Sequence, residues 1–285
     1  MPELPEDNGS RAVLGPFWHG VRSEASGIER GAYNTRVDRL LEATARAERD
    51  HFWFRGFRRF VAPMLAAAAA GRAGLRLLDC GCGTGTNLRL LLEPHGQAWG
   101  FDLTWTGLQF ARGSGVTRVA QASAAAVPYP SGAFDIVTSF DVLYCLPDEI
   151  EREAVREMWR VLKPGGAAII NVAAMGILRG NHSVLSAELR RYSRASLRDL
   201  LEPAGFRVEQ MTYTNASLFP LLLGIRGVQR LTGLAPESEA EGEITVPPRP
   251  VNATLSALLA VEAGLVRAMP MPFGSSLLCL ARKPA

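Results

Sequence analysis

The sequence predicts an α/β fold: a doubly wound, seven-stranded, mostly parallel sheet with an N-terminal helical cap and a helical insertion before the last strand. Three observations predict it. Short apolar runs that suit buried parallel strands alternate along the chain with segments of helical periodicity. The first of these runs ends in a glycine loop, Gly81-x-Gly83-x-Gly85, with a helical pattern after it. The chain has 285 residues, 47% of them hydrophobic, which suffices for the core of one large domain or two modest ones.

Each element follows in order. Residues 1–34, rich in Gly, Pro and charge, read as a flexible arm. Residues 35–70 form the helical cap. Its first helix covers Asp38 to Arg49, and its second runs roughly from Phe54 to Ala69 with Phe57, Phe60, Val61, Met64 and Leu65 on one side. Between them lies a dense aromatic cluster, His51-Phe52-Trp53-Phe54-Arg55. The core, 71–212, opens with a strand over Leu75 to Asp79, the glycine loop and a helix over Thr86 to Leu92. Further strands are read at Ala98 to Phe101, Val116 to Ala120, Phe134 to Ser139, Ala167 to Val172 and Phe206 to Thr212. Helices are read at Glu149 to Leu162, stopped by Lys163-Pro164-Gly165-Gly166, and at Ser196 to Ala204. The insertion, 213–274, holds two apolar helical pieces, Leu218 to Leu231 and Asn252 to Met269. A mobile acidic and then proline-rich link, Pro236 to Pro250, joins them. Residues 275–285 supply the last strand.

Bulk properties exclude several classes. The net charge is +3 with dispersed arginines, so no nucleic-acid partner is expected. Cys80, Cys82, Cys145 and Cys279 lack metal-ligand spacing and read as reduced thiols of a cytoplasmic protein; no metal is expected. The stretch Met1 to Ser10 lacks the features of a signal peptide. No run reaches the roughly 20 apolar residues of a membrane span. The nearest, Ala216 to Val228, is interrupted by Pro220 and Arg226. Stable membrane insertion is therefore not expected, although Arg226 and Arg230 beside that run leave peripheral association open.

The candidate site starts at the glycine loop. A strand ends at Asp79 and the chain must turn sharply into a helix, which glycine permits. The helix start favours a ligand's negative charge. The dinucleotide spacing G-x-G-x-x-G, begun at Gly81, would end at Thr86, whereas the glycine stands at Gly85. Asp102, at the end of the second strand, can accept two hydrogen bonds from a ribose diol. That chemistry does not separate cofactors, and a helix N-cap is the plainer alternative.

Six segments in this order resemble the motifs of class I S-adenosylmethionine-dependent methyltransferases: Leu77 to Gly85, Gly100-Phe101-Asp102, Val127-Pro128-Tyr129, Phe134 to Val137, Asp141 to Tyr144, and Val161 to Gly166. They are most similar to the broad type 11/type 12 group, over residues 75–172. The resemblance implies a Rossmann-like core, S-adenosylmethionine as cofactor and S-adenosylhomocysteine as product. It implies that Asp79, Gly81, Cys82, Gly83 and Gly85 meet the methionine portion. Asp102, with Leu103 beside it, would hold the ribose, and Ser123 and Ala124 would flank adenine. Phe140 to Tyr144 would face the reacting end. The chain departs from the family pattern at Ser123, where an Asp is common, and at Cys145, where a His is common.

The flanks resemble a narrower bacterial subgroup at His51 to Gly56, at His182 with Arg190-Arg191-Tyr192, and at Pro203 to Phe206. By that resemblance the N-terminal helices close over the cofactor, with Trp53, Phe54 and Arg55 as candidates to cover the sulfonium or hold its carboxylate. A cation–π contact would suit the sulfonium; core packing is the alternative. Methyl transfer is an in-line displacement that depends on alignment, and a hydroxyl acceptor also needs a base. His182 is the first candidate base, then His51. Tyr192 and Tyr144 are candidates to orient the acceptor, and Asp141 is a weaker base candidate. The expected partner is a small, apolar or glycosylated acceptor under a cap formed by the insertion, which also suits a homodimer contact. Two readings compete: a nicotinamide-dependent oxidoreductase and a non-catalytic binding module of the same fold.

Overall fold

The computed structural model describes residues 30–179, 183, 187–232 and 244–285. Most of the expected arm, most of the expected link and His182 lie outside the described residues. Seven strands form one sheet: β1 (Leu75–Cys80), β2 (Gly96–Asp102), β3 (Val119–Gln121), β4 (Phe134–Phe140), β5 (Leu162–Ala173), β6 (Arg207–Thr214) and β7 (Ser276–Arg282). The order is β3-β2-β1-β4-β5-β7-β6. The first five strands run parallel, and β7 lies antiparallel between β5 and β6. Strand order reverses between β1 and β4, so the carboxyl ends of these two strands flank the crevice where this class of sheet binds ligands.

The helices are α1 (Arg30–Ala47), α2 (Phe52–Ala69), α3 (Trp105–Gly113), α4 (Asp148–Val161), α5 (Arg194–Leu201), α6 (Phe219–Thr232) and α7 (Arg249–Ala268). They cover the sheet because its two faces are apolar in alternation. Leu78, Val137 and Ile170 face one cluster with Val155 and Met158 of α4 and Leu197 and Leu201 of α5. Leu77, Ile136 and Ile169 face the other, with α2, α3 and α7. In α2, the buried Phe60, Val61, Met64 and Leu65 recur at helical spacing, each stabilising by about 1.5–3 kcal/mol relative to exposure. Gly56 brings α2 onto α7: a Cβ there would lie 2.4 Å from Leu259 Cδ1. Helix α4 carries Asp148, Glu149 and Glu151 in its first turn and Arg160 in its last, the arrangement its dipole favours.

Three expectations need correction. The Lys163-Pro164-Gly165-Gly166 segment is not a stop between helix and strand. It is the start of β5, where Phe134 pairs with Leu162 and Ile136 already pairs with Ala167. The surplus residues form a bulge. The stretch after β2 contains α3, which the pattern did not mark. Its Gly107 and Gly113 weaken helical propensity, yet Gly107 is needed because a Cβ there would sit 3.0 Å from Gly83 O. Finally, α7 is long and apolar enough, by length and composition, to cross a membrane, a property not credited to any segment of the sequence.

Candidate active site

The loop after β1 is built for close approach. Gly81 has φ 77°, and a Cβ there would lie 2.3 Å from Val142 Cγ2 in the turn after β4. The backbone N–H groups of Gly81 and Cys82 both donate to Phe101 O at 2.9 Å, which ties the loop to β2. Cys82 is buried behind the loop against Gly100.

Two carboxylates flank this loop. Asp79 is buried at the end of β1, and its hydrogen-bond partner among the described residues is the Thr138 hydroxyl, which donates to Oδ1 at 2.7 Å. Burial pushes the Asp79 carboxyl up to about 7, against the pull of that hydrogen bond and with a further push from Asp102. Asp102 is half-buried at the end of β2. Its Oδ2 accepts from Gly83 N–H at 2.8 Å, and its Oδ1 accepts from the Thr104 N–H at 2.8 Å and hydroxyl at 2.6 Å. A carboxylate has about four acceptor sites, so Oδ2 retains room for one more donor. Leu103 is half-buried beside it, and its carbonyl accepts from Gln121 Nε2 at 2.9 Å.

The turn after β3 brings Ser123 and Ala124, both half-buried, to the same edge. Ser123 Oγ accepts from Ala125 N–H at 3.2 Å, which shapes the turn. After β4, Phe140 is buried against the ring of Phe57 on α2, centroids 5.0 Å apart and nearly perpendicular. Asp141 follows at φ 61°, a left-handed conformation rare for a residue with a Cβ. It is open to solvent yet ringed by protein, with Asn171 Nδ2 donating to Oδ1 at 2.9 Å. Desolvation pushes its carboxyl up to about 7; the Asn171 bond and the Arg191 charge oppose this, and Glu188 adds to it. Tyr144 is buried, and its carbonyl accepts from Leu189 N–H at 2.9 Å.

Glu48, at the end of α1, escaped the sequence reading. The Thr84 hydroxyl lies 2.7 and 2.8 Å from its two carboxylate oxygens, and the Thr86 hydroxyl donates at 2.6 Å. Through Glu48, α1 is fastened across the glycine loop, with Leu41 3.3 Å from where a Cβ of Gly83 would stand. An acidic residue at a helix C-terminus opposes the dipole, and that mismatch was the available signal.

The other candidates are placed as follows. His51 is buried and caps α2, its Nδ1 accepting from Trp53 N–H at 3.2 Å. Burial holds its pKa low. A neutral imidazole has one acceptor nitrogen, and the cap occupies it. Trp53 is half-buried against the α2 side of the sheet, while Arg55 is exposed. The Tyr192 hydroxyl is buried and donates to Glu151 of α4. Burial and Glu151 raise its pKa far above the usual range. Tyr192 thereby anchors the segment after β5. Arg191 fastens that segment further, bonding both oxygens of Glu188 at 2.8 Å.

Comparison with known proteins agrees with this arrangement. A family described as a methyltransferase domain matches residues 78–170. The malonyl-[acyl-carrier protein] O-methyltransferase of Herminiimonas arsenicoxydans is 30% identical over 205 residues, covering 67% of this chain and 76% of that protein. The chain spans 61% of the length of another curated relative, from Mycolicibacterium smegmatis. The crystal structure of the [4+2]-cyclase SpnF is 24% identical with a TM-score of 0.50, covering 80% of this chain and 81% of that one. Phosphoethanolamine N-methyltransferase 2 of Haemonchus contortus, solved in complex with S-adenosyl-L-methionine, is 19% identical with a TM-score of 0.50, covering 78% and 52%. The chain belongs to the class I S-adenosylmethionine-dependent methyltransferase family.

Proposed function

We propose that the chain transfers the methyl group of S-adenosylmethionine to an O, N or S nucleophile of a small apolar metabolite, releasing S-adenosylhomocysteine. The observation that carries this reading is Asp79. A buried carboxylate with one hydroxyl partner is poorly satisfied, and it stands at the mouth of the glycine loop, where a cationic group would complete it. That need fits the ammonium of the cofactor's methionine portion, as the open acceptor site on Asp102 Oδ2 fits a ribose hydroxyl. Bound S-adenosylmethionine supplies a methyl group already activated on a sulfonium.

The residues of the chain then have distinct tasks. Asp79 and the loop from Gly81 through Cys82 and Gly83 to Gly85 hold the methionine portion. Asp102 and Leu103 hold the ribose, and Ser123 and Ala124 border the adenine. Phe140 and Tyr144 line the reacting end, where α2 keeps water away through Phe57 and Phe140. Helix α1, latched by Glu48, closes the side. Asp141 receives the acceptor's proton. It stands at the carboxyl end of β4, is held by Asn171, and titrates near neutrality, as a general base should. His51 and Tyr192 serve as cap and anchor, and His182 remains a candidate to orient the acceptor. The acceptor is a small molecule and the protein cytoplasmic in this reading.

Because the same fold is found in a cyclase, fold alone does not carry the reaction. The test reads the reaction directly: S-adenosylhomocysteine release against a panel of apolar alcohols, phenols, amines and thiols. Release dependent on one acceptor class supports the proposal. Tight S-adenosylmethionine binding with no release across the panel favours the non-catalytic reading.

A further inference from the structure

Helices α6 and α7 carry their apolar residues on the outside. On α7 the polar Ser256 and Glu262 are buried toward the domain, while Val251, Leu258, Val261 and Leu265 are exposed, Val261 at 65%. This orientation is fixed. Glu262 accepts from the backbone N–H groups of Ala216 at 2.8 Å and Ser217 at 2.9 Å, and Leu259 fills the space that Gly56 leaves on α2. Among the described residues, no charged side chain stands on the solvent face of α7 between Arg249 and Arg267, and those two arginines are both exposed. Helix α6 adds exposed Leu221, Ile225 and Val228, and none of its described side chains is buried. Its charged residues are Arg226 and Arg230. Apolar faces of this extent on a folded domain mark a contact surface.

We infer that the exposed face of α6 and α7 seats on an anionic lipid bilayer, with its apolar side chains at the headgroup–acyl boundary and Arg249 and Arg267 among the phosphates. The charge pattern selects this occupant over a second copy of the chain. In any two-fold pairing of α7 with its equivalent, parallel or antiparallel, arginine ends meet arginine ends. Headgroup phosphates satisfy both. Helix α7 lies on the membrane and does not cross it, because its polar side is engaged with α2 and the start of α6. Glu237, Glu239, Glu241 and Glu243, between the two helices, oppose an anionic surface. Apolar insertion therefore carries the binding, and the arginines select the lipid. This inference is independent of the methyl-transfer reading.

Flotation of the full chain with vesicles of phosphatidylcholine and phosphatidylglycerol tests it, with pure phosphatidylcholine vesicles alongside. The wild-type chain is expected to float with the mixed vesicles and several-fold less with phosphatidylcholine alone. Val261→Glu with Leu265→Glu should lower the bound fraction by about tenfold or more, with S-adenosylmethionine affinity unchanged as the sign of an intact fold. Arg249→Ala with Arg267→Ala should abolish the preference for anionic lipid. The inference is overturned if the wild-type chain stays in the soluble fraction as a monomer, or if the glutamate pair floats as well as wild type. It is also overturned if the wild-type chain excludes vesicles as a dimer that the glutamate pair splits, since a second copy would then cover the face.

Discussion

At the carboxyl ends of β1, β2 and β4 the backbone itself holds the functional groups. Gly83 N–H bonds Asp102, Gly81 and Cys82 bond Phe101, and Thr138 bonds Asp79 from the neighbouring strand. Across the crevice the wall comes from far apart in sequence: the α1–α2 cap, the segment after β5, and α6 with α7. Side chains fasten it there, through Glu48 to Thr84 and Thr86, Tyr192 to Glu151, and Arg191 to Glu188. Fixed backbone suits a cofactor of one shape. Side-chain fastenings can be re-cut for a new acceptor without disturbing the sheet, and they can open.

Five substitutions would break or sharpen this contrast, from the largest expected effect down. Asp141→Asn should lower kcat by about 10²–10⁴-fold, the range for loss of a general base, with little change in S-adenosylmethionine affinity. The sign follows from the raised carboxyl: the base works deprotonated, so wild-type kcat should fall as pH drops through about 7, and the variant should lose that limb. A wild-type pH profile in the variant would return Asp141 to a loop-steadying role. Asp79→Asn should weaken S-adenosylmethionine by about 10- to 100-fold, the cost of losing a charged hydrogen-bond partner, while the apo chain stays folded. Asp102→Ala should weaken binding by about tenfold or more and also loosen Gly83. Glu48→Ala should cost about 2 kcal/mol of stability, lower Tm by several degrees and raise amide exchange in α1 but not in β1; unchanged exchange in α1 would mean that the cap is held by other contacts. His51→Ala removes only an N-cap, so a loss of about 1 kcal/mol with near-normal kcat is expected. A collapse of kcat at full stability would make His51 chemical after all.

The cofactor half was legible because its signals are local. Parallel strands are continuous apolar runs, positive φ selects glycine at Gly81 and Gly85, and Asp102 ends a recognisable strand. The wall was not, because its partners are distant. Nothing near Glu48 announces Thr84 and Thr86, 36 and 38 residues on. The aromatic cluster at His51 suggested chemistry, where the histidine caps a helix. Helix α3 hid behind glycines that its packing against Gly83 requires. The apolar pattern of α7 was visible, but which side would be exposed depended on where Glu262 finds its donors.

The most direct measurement is S-adenosylmethionine affinity by calorimetry between pH 5.5 and 7.5, for wild type and Asp79→Asn. Asp79 is protonated in the unliganded chain below about 7 and must ionise to hold the ammonium. Wild-type affinity should therefore fall as pH drops, by up to about tenfold per unit, whereas the variant should bind weakly and evenly throughout. Wild-type affinity that does not change with pH, or an Asp79→Asn variant that binds as tightly as wild type, would contradict the account.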